Sequence, residues 1–235
     1  MRLNKYLSRS GIASRRKSDE LIKMATTTVN NDIILDPAFE VGENDEIRYD
    51  GKLLKIDNEK VVIAFNKPKN VITSVYDPFN RKIVMDYIQH KKRLVPVGRL
   101  DKDSTGLLLL TNDGDLHYYL THPKNEVIRE YDVSIDRLIK PREIQRLKKG
   151  VSIGEREIGM AKVANQINLK GRVQVRLILK QGKKREIRRI FRTLKIKLYD
   201  LKRISFAGVK LNGLKESEYR ILNKREINRL KLGFL

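Results

Sequence analysis

The stretch VGRLDKDSTGLLLLTNDGDL, residues 97–116, sets charged groups directly against an apolar run. Asp101 lies between Gly98 and Gly106, and four leucines, Leu107 to Leu110, follow without a polar break. Glycine permits backbone angles closed to other residues. An uninterrupted apolar run suits a strand buried on both faces. The spacing therefore predicts a carboxylate held at the edge of a rigid apolar floor, the usual way to keep a reactive group still. Such a carboxylate can attack as a nucleophile or abstract a proton. The same spacing also suits a structural loop aspartate feeding a core strand. No histidine or cysteine flanks Asp101, so a hydrolase triad is not supported.

Composition narrows the chemistry further. The 235 residues suffice for one large domain, or for one domain and a small module, with a real core. With no cysteine, disulfides, thiol nucleophiles and thiolate-bound metals are excluded. His90, His117 and His122 lack the spacing of a helical zinc site, so no metal is expected. No apolar run approaches the roughly 18 residues of a membrane span. The opening MRLNKYLSRSG lacks the apolar core of a signal peptide. The expectation is a cytoplasmic protein with no membrane partner. The formal charge of +22 comes from 51 basic and 29 acidic side chains. Residues 1–17 carry six basic groups and no acid, and residues 181–235 carry 17 basic against 5 acidic groups. Charge gathered at both ends predicts two surfaces for a polyanion's phosphates.

The elements that position these groups can be read from periodicity. Leu3 and Leu7 mark one face of a short helix that Gly11 can end, and Ser14 suits the N-cap of a second helix carrying Leu21 and Ile22. Arg2, Lys5, Arg9, Arg15, Arg16 and Lys17 lie mostly off those apolar positions, as a basic surface resting on an RNA or DNA backbone requires. Residues 26–51 alternate β-formers with turn residues, and VGENDEI reads as a turn into a strand. DGKLLKIDNEK, residues 50–60, reads as a polar linker. Beyond it VVIAF, GLLLLT, REYDVSI and RVQVRLIL read as strands, and IVMDYI, DLHYYLTH, PREIQRLKKG and REIRRIFRTL as helices. The mixture predicts an α+β domain.

Two resemblances sharpen the picture. On Arg2, Leu3, Lys5, Gly11, Ser14, Arg15, Arg16 and VGENDEI, residues 1–50 resemble the αL RNA-binding module shared by a small-subunit ribosomal protein and many RNA-modifying enzymes. GRLDKDSTGLLLLTNDGDL closely resembles the signature of RNA pseudouridine synthases of the RsuA/RluB type. NKP at 66–68, HPKNEVIREYDV at 122–133 and GKKREIRRIF at 182–191 agree with it in the same order. The resemblance implies an RNA-binding domain over 1–55 and a catalytic domain over 60–235, built on a mixed, mainly antiparallel sheet flanked by helices. It implies an enzyme that breaks the uridine N-glycosidic bond, rotates the uracil and rejoins it through C5, with no cofactor. Ribosomal RNA or a pre-ribosomal particle is the implied partner, and a monomer the simplest state.

Residue by residue, Asp101 matches the catalytic aspartate, which attacks the ribose or the ring. Arg188 matches its basic partner, where a guanidinium favours the charged carboxylate that attack requires. Tyr131 matches the tyrosine that stacks on the base and helps remove the C5 proton. Arg99 matches an arginine that enters the RNA stack when the uridine leaves, and Ile187 an apolar residue near the base. Lys67 and Pro68 match a loop that shapes the site. Lys183, Lys184, Arg185 and Arg189 would meet phosphate or stabilise their loop. Arg2, Lys5, Arg9, Ser14, Arg15, Arg16 and Lys17 would carry RNA binding. Glu186, YDPFNRKIVMDYI at 76–88 and HPKNEVIREY lean toward the RluB-like, large-subunit branch. A small-subunit enzyme, or an inactive assembly factor with the same fold, is the alternative. At Asn31, Asn70 and Asn80 the family usually has glycine; asparagine tolerates positive φ best among other residues, so the same left-handed turns are expected. Ala25 also replaces a glycine and makes its turn less secure.

Overall fold

The computed structural model describes residues 1–56, 58–169 and 171–232. The chain divides into two compact units: Met1–Lys60 with Lys91–Arg93, and Val61–His90 with the residues from Leu94 onward.

The first unit begins with helices α1 (Leu3–Arg9) and α2 (Arg15–Lys23). Ser14 caps α2 by accepting from the Lys17 N–H at 3.2 Å, and Gly11 takes φ +84° between the helices. Strands β1 (Thr27–Val29), β2 (Asp32–Ile33), β3 (Ile47–Tyr49) and β4 (Lys52–Leu53) form a sheet in the order β2-β1-β3-β4. Leu3, Leu7 and Ile22 pack with Val29, Val41 and Ile47. The Asp45 carboxylate accepts from the Gly42 N–H at 2.8 Å, building the turn into β3. Strand β4 corrects the linker reading of 50–60. It pairs with β3, the Leu54 N–H reaches the Ile47 carbonyl at 2.8 Å, and Leu54 is buried. Asp50 and Gly51 turn the chain with φ +45° and +74°, the Asp-Gly signature of a two-residue hairpin.

In the second unit, β5 (Val62–Lys67), β6 (Val95–Pro96), β7 (Thr105–Thr111), β8 (Arg129–Ile135), β9 (Val151–Ser152), β10 (Ile158–Gly159), β11 (Lys162–Leu169), β12 (Arg172–Leu179), β13 (Leu198–Phe206), β14 (Val209–Lys210) and β15 (Tyr219–Ile221) are interspersed along the chain with helices α3 (Gly114–Thr121), α4 (Pro141–Lys149), α5 (Glu186–Thr193) and α6 (Lys224–Leu232). The main sheet runs β11-β12-β8-β13-β7-β5-β15, with β6 and β14 added beside β7 and β13. Its neighbours are antiparallel except β13 and β7, so the sheet is mixed and mainly antiparallel. The four leucines need burial on both faces, and they have it. Leu107 and Leu109 pack with Leu116 and Leu120 of α3, whereas Leu108 and Leu110 pack with Val71, Val84 and Leu94. Ile187, Ile190 and Phe191 of α5 close a third cluster with Val133, Val175 and Leu177.

IVMDYI does not make the expected α-helix. Ile83 is held extended in a bridge to Ile72, leaving only the 3₁₀ turn Val84–Tyr87 before Ile88 returns to extended backbone. Asn31, Asn70 and Asn80 take φ of +74°, +64° and +52°, as expected for glycine-like turns. Ala25 keeps its turn at φ +59° despite its Cβ.

Candidate active site

Asp101 sits in the loop that feeds β7, and three groups fasten that loop from below. Lys67, at the end of β5, is fully buried and donates to the carbonyls of Pro68 (2.9 Å), Ser104 (2.8 Å) and Lys102 (3.3 Å). Burial pushes its pKa down from 10.5 to about 8, against the pull of Asp103, Asp101 and Glu216. The Asn70 N–H, aimed by its left-handed backbone, donates to the Lys102 carbonyl at 2.9 Å. The Thr73 hydroxyl donates to the Leu100 carbonyl at 2.8 Å and accepts from the Leu100 N–H at 3.2 Å. The residue next to Asp101 is thus fixed through both backbone groups.

Sheet register brings the other groups to the same level. Arg203 of β13 lies opposite Gly106 of β7 on one side and Tyr131 of β8 on the other. At about 4.8 Å between strands, Tyr131 stands roughly 10 Å across the sheet from the start of β7. The approach at Gly106 is tight. It has φ +100°, and a Cβ there would lie 2.2 Å from the Arg203 carbonyl oxygen, so only glycine fits.

A cavity of about 480 Å³ lies over this level, within the roughly 300–1,000 Å³ of small-molecule sites. Arg99, Asp101, Tyr131, Arg185, Ile187 and Arg188 contribute to its walls. Asp101 Oδ2 lies 3.4 Å from Arg185 Nη1 and 3.6 Å from Arg188 Nε. Arg188 Nη2 donates to the Ser104 hydroxyl at 3.2 Å, which aims the guanidinium at the carboxylate. Arg188 Nε has no hydrogen-bond partner among the described residues. Arg185 precedes α5 in a left-handed conformation, φ +52°. Its loop is gripped by the buried Glu186, which accepts from the N–H groups of Lys183 (3.1 Å) and Met160 (3.3 Å). Burial raises the Glu186 pKa. The site thus offers a half-buried carboxylate facing two guanidinium groups, with a half-buried tyrosine on the same cavity.

The profile of the RNA pseudouridylate synthase family matches residues 61–193, more than half the chain, and that of the S4 domain matches residues 1–47. The chain belongs to the RNA pseudouridylate synthase family. It is similar to the ribosomal large subunit pseudouridine synthase B of Bacillus subtilis, at 36% identity over 98% of this chain and 95% of that protein. It is similar to the dual-specificity RNA pseudouridine synthase RluF of Salmonella typhi, at 34% identity over 96% of this chain and 77% of that one. A crystal structure of a pseudouridylate synthase superposes over 98% of this chain and 99% of its own, with a TM-score of 0.69 and 26% identity.

In this pseudouridylate synthase the structure gathers Asp101, Tyr131, Arg188, Arg99, Ile187 and Arg185 around one cavity. Arg99 is exposed, and Ile187 is buried with one side in the core. Lys67 lies under the loop and does not line the cavity. Arg189 departs from the substrate-binding expectation. It lies off the cavity wall, because its donors are taken by the carbonyls of Ile153 (2.7 Å), Gly154 (2.9 Å) and Lys184 (3.3 Å) and by the Glu157 carboxylate. It stabilises its loop. In the first unit of the synthase, Arg2, Arg15, Arg16 and Lys17 are exposed, and Lys5 and Arg9 are half-buried. Lys17 pairs with Glu20 at 2.7 Å, one turn along α2.

Two further arginines of the synthase line the cavity and escaped sequence reasoning. Arg203 is buried, donates from Nε to the Leu107 carbonyl at 2.7 Å, and stacks over Phe206 at 4.8 Å. Arg129 also lies over Phe206, at 5.0 Å, and donates to the carbonyls of Val127 (2.7 Å) and Leu120 (3.2 Å). Burial lowers the Arg129 pKa. A lone arginine inside a strand gives no periodic signal, and only the pairing register places Arg203 between Gly106 and Tyr131. Among the described residues no group of three or more acidic or histidine side chains is placed to hold a metal ion, and no helix is long and apolar enough to cross a membrane.

Proposed function

We propose that this synthase isomerises uridine to pseudouridine in ribosomal RNA, that of the large subunit, with Asp101 as the attacking carboxylate. The observation that carries this reading is the Asp101 carboxylate lying 3.4 and 3.6 Å from two guanidinium groups beside a cavity that Tyr131 also lines. The name of the Bacillus subtilis relative supports the choice of subunit. The reaction breaks the N1–C1′ bond and forms a C5–C1′ bond. The C5 proton leaves and N1 gains one, so no external reactant is consumed. Arg188 and Arg185 hold Asp101 toward the ribose or the ring, and Tyr131 supports the base and receives the C5 proton directly or through solvent. A uridine in a helix must leave the stack first, at a cost of a few kcal/mol. The exposed Arg99 fills the gap and offsets part of that cost by stacking. The basic α1 and α2 bind structured RNA through Arg2, Lys5, Arg9, Arg15, Arg16 and Lys17, with Ser14 as the cap that holds α2 in place.

The test uses large-subunit rRNA tritiated at uracil C5, from which isomerisation releases tritium to water. Wild type should release it, and Asp101→Asn should bind the RNA and release none. Full activity of Asp101→Asn would remove Asp101 from its role. Silence of the wild type on both free rRNA and pre-ribosomal particles would refute the rRNA assignment.

A further inference from the structure

Residues 74–82, SVYDPFNRK, form a loop that the chemistry above does not use, and it displays two aromatic rings to solvent. Tyr76 is 74% exposed and Phe79 75%, with the half-exposed Val75 beside them. Rings so exposed cost free energy in water and mark an interaction surface when they are held together.

These rings are held. Asp77 is buried, and its carboxylate accepts from the N–H groups of Phe79 (3.1 Å) and Arg81 (3.0 Å) and from the Arg81 guanidinium at 2.6 Å. The Arg81 guanidinium holds the Asp77 pKa down at about 2. Asn80 supplies the left-handed residue that closes the turn. Arg81 also lies over the Phe79 ring, 5.0 Å from its centre. The ends of the loop are tied by the Ile72 N–H to the Lys82 carbonyl at 2.9 Å. The loop is therefore a rigid mount for two rings.

Its anchor is the catalytic loop. Thr73 grips both backbone groups of Leu100, which sits between Arg99 and Asp101. Tyr76 is three residues from Thr73, so its Cα lies within about 11 Å of Thr73's Cα. Phe79 is three residues from Lys82, which is bonded to Ile72. The loop is thus tied through Thr73 to the residue between Arg99 and Asp101, and Arg81, Lys82, Arg99 and Lys102 are exposed cations on the two tied segments.

We propose that Tyr76 and Phe79 form a stacking platform for unpaired RNA bases flanking the target uridine. Single-stranded RNA is recognised by aromatic stacking with nearby cations, and any base can use such a platform. The inference rests on the RNA reading above. It explains why a highly charged chain builds a stiff loop to display two rings.

The test is binding rather than turnover, so that it can fail or succeed apart from the isomerase proposal. Full-length wild type, Tyr76→Ala, Phe79→Ala and the double variant are titrated with a protein-free large-subunit rRNA transcript at several salt concentrations. Stacking one base contributes about 5- to 150-fold in affinity, so each alanine should weaken binding by about tenfold and the pair by more. The slope of log affinity against log salt should stay unchanged, because a neutral ring releases no counterions. Tyr76→Phe and Phe79→Tyr keep a ring and should bind as wild type. Equal melting temperatures across the set exclude misfolding. Wild-type affinity in the double variant would overturn the platform, and so would a loss of affinity that both ring-preserving variants share. If the double variant binds free rRNA normally but loses activity only on pre-ribosomal particles, the rings meet a ribosomal protein and the proposal fails. A wild type that binds but never releases tritium would sink the isomerase proposal while leaving the binding deficit as evidence for the platform.

Discussion

Replacing Lys67 by methionine tests the loop's support most directly. The Lys67 ammonium has no exposed surface and donates to three carbonyls. Its pKa of about 8 against 10.5 means that keeping the charge near neutrality costs about 3 kcal/mol, at about 1.4 kcal/mol for each pH unit of displacement. Against this stand three hydrogen bonds from a charged donor, each contributing about 1.5–3 kcal/mol. Lys67→Met, which loses the bonds and the cost together, should therefore be destabilised by about 1.5–6 kcal/mol near pH 7. The pH dependence gives the sharper measurement. Below about pH 8 both folded and unfolded chains hold the proton. Between about pH 8 and 10.5 the unfolded chain holds it and the folded chain does not, so this residue's contribution to stability rises with pH. Methionine has nothing to titrate. In urea unfolding the gap between wild type and Lys67→Met should widen by about 2 kcal/mol from pH 7 to about 9.5. Turnover should move the other way. Loss of the proton weakens the clamp on the Asp101 loop, so wild-type kcat should fall through about pH 8, a limb absent from the variant. A stability gap that does not change with pH, or a variant with wild-type kcat, would refute this reasoning.

Arg188→Ala should lower kcat by about 10²–10³-fold, as loss of one preorganised electrostatic partner does, while rRNA binding measured on filters is retained. Arg188→Lys should recover little, because one ammonium cannot serve both Ser104 and Asp101 as the planar fork does. Gly106→Ala drives a methyl into the Arg203 carbonyl at a positive φ and should cost more than about 3 kcal/mol, and a near-normal melting temperature would contradict the close approach. Ser14→Ala removes the α2 cap and should cost about 1 kcal/mol in thermal unfolding, with full tritium release by protein that remains folded.

Much of this was legible in the chain because local rules and packing agree. Ser14 before a basic amphipathic run, the doubly buried leucines and the asparagines at left-handed turns each follow from one dominant force. Other features were decided by partners far away in sequence. Asp50 and Gly51 carry a hairpin signature, but their polar surroundings read as a linker until β4 is seen paired to β3. Ile83 and Val84 lie in a helix-like pattern, yet the bridge from Ile83 to Ile72 claims the backbone that a helix would need. At the site, the loop's spacing singled out Asp101, and the family resemblance added Tyr131 and Arg188. Neither could say that Arg185 would lie slightly nearer the carboxylate than Arg188, or which of its two expected roles Arg189 would take. Those outcomes depend on the left-handed Arg185 and on Glu186 buried beneath it.

The strand order carries a consequence for synthesis of the chain. Strand β13, Leu198–Phe206, is the seam between β7 and β8. Before it is made, the aspartate's strand belongs to one fragment of sheet and the tyrosine's to another, and no strand pairing sets their register. A nascent chain translated through Arg188 therefore holds all three proposed site residues but lacks the strand that registers two of their elements. On the roles proposed for Asp101 and Tyr131, the chemistry waits for β13, which lies in the last sixth of these residues.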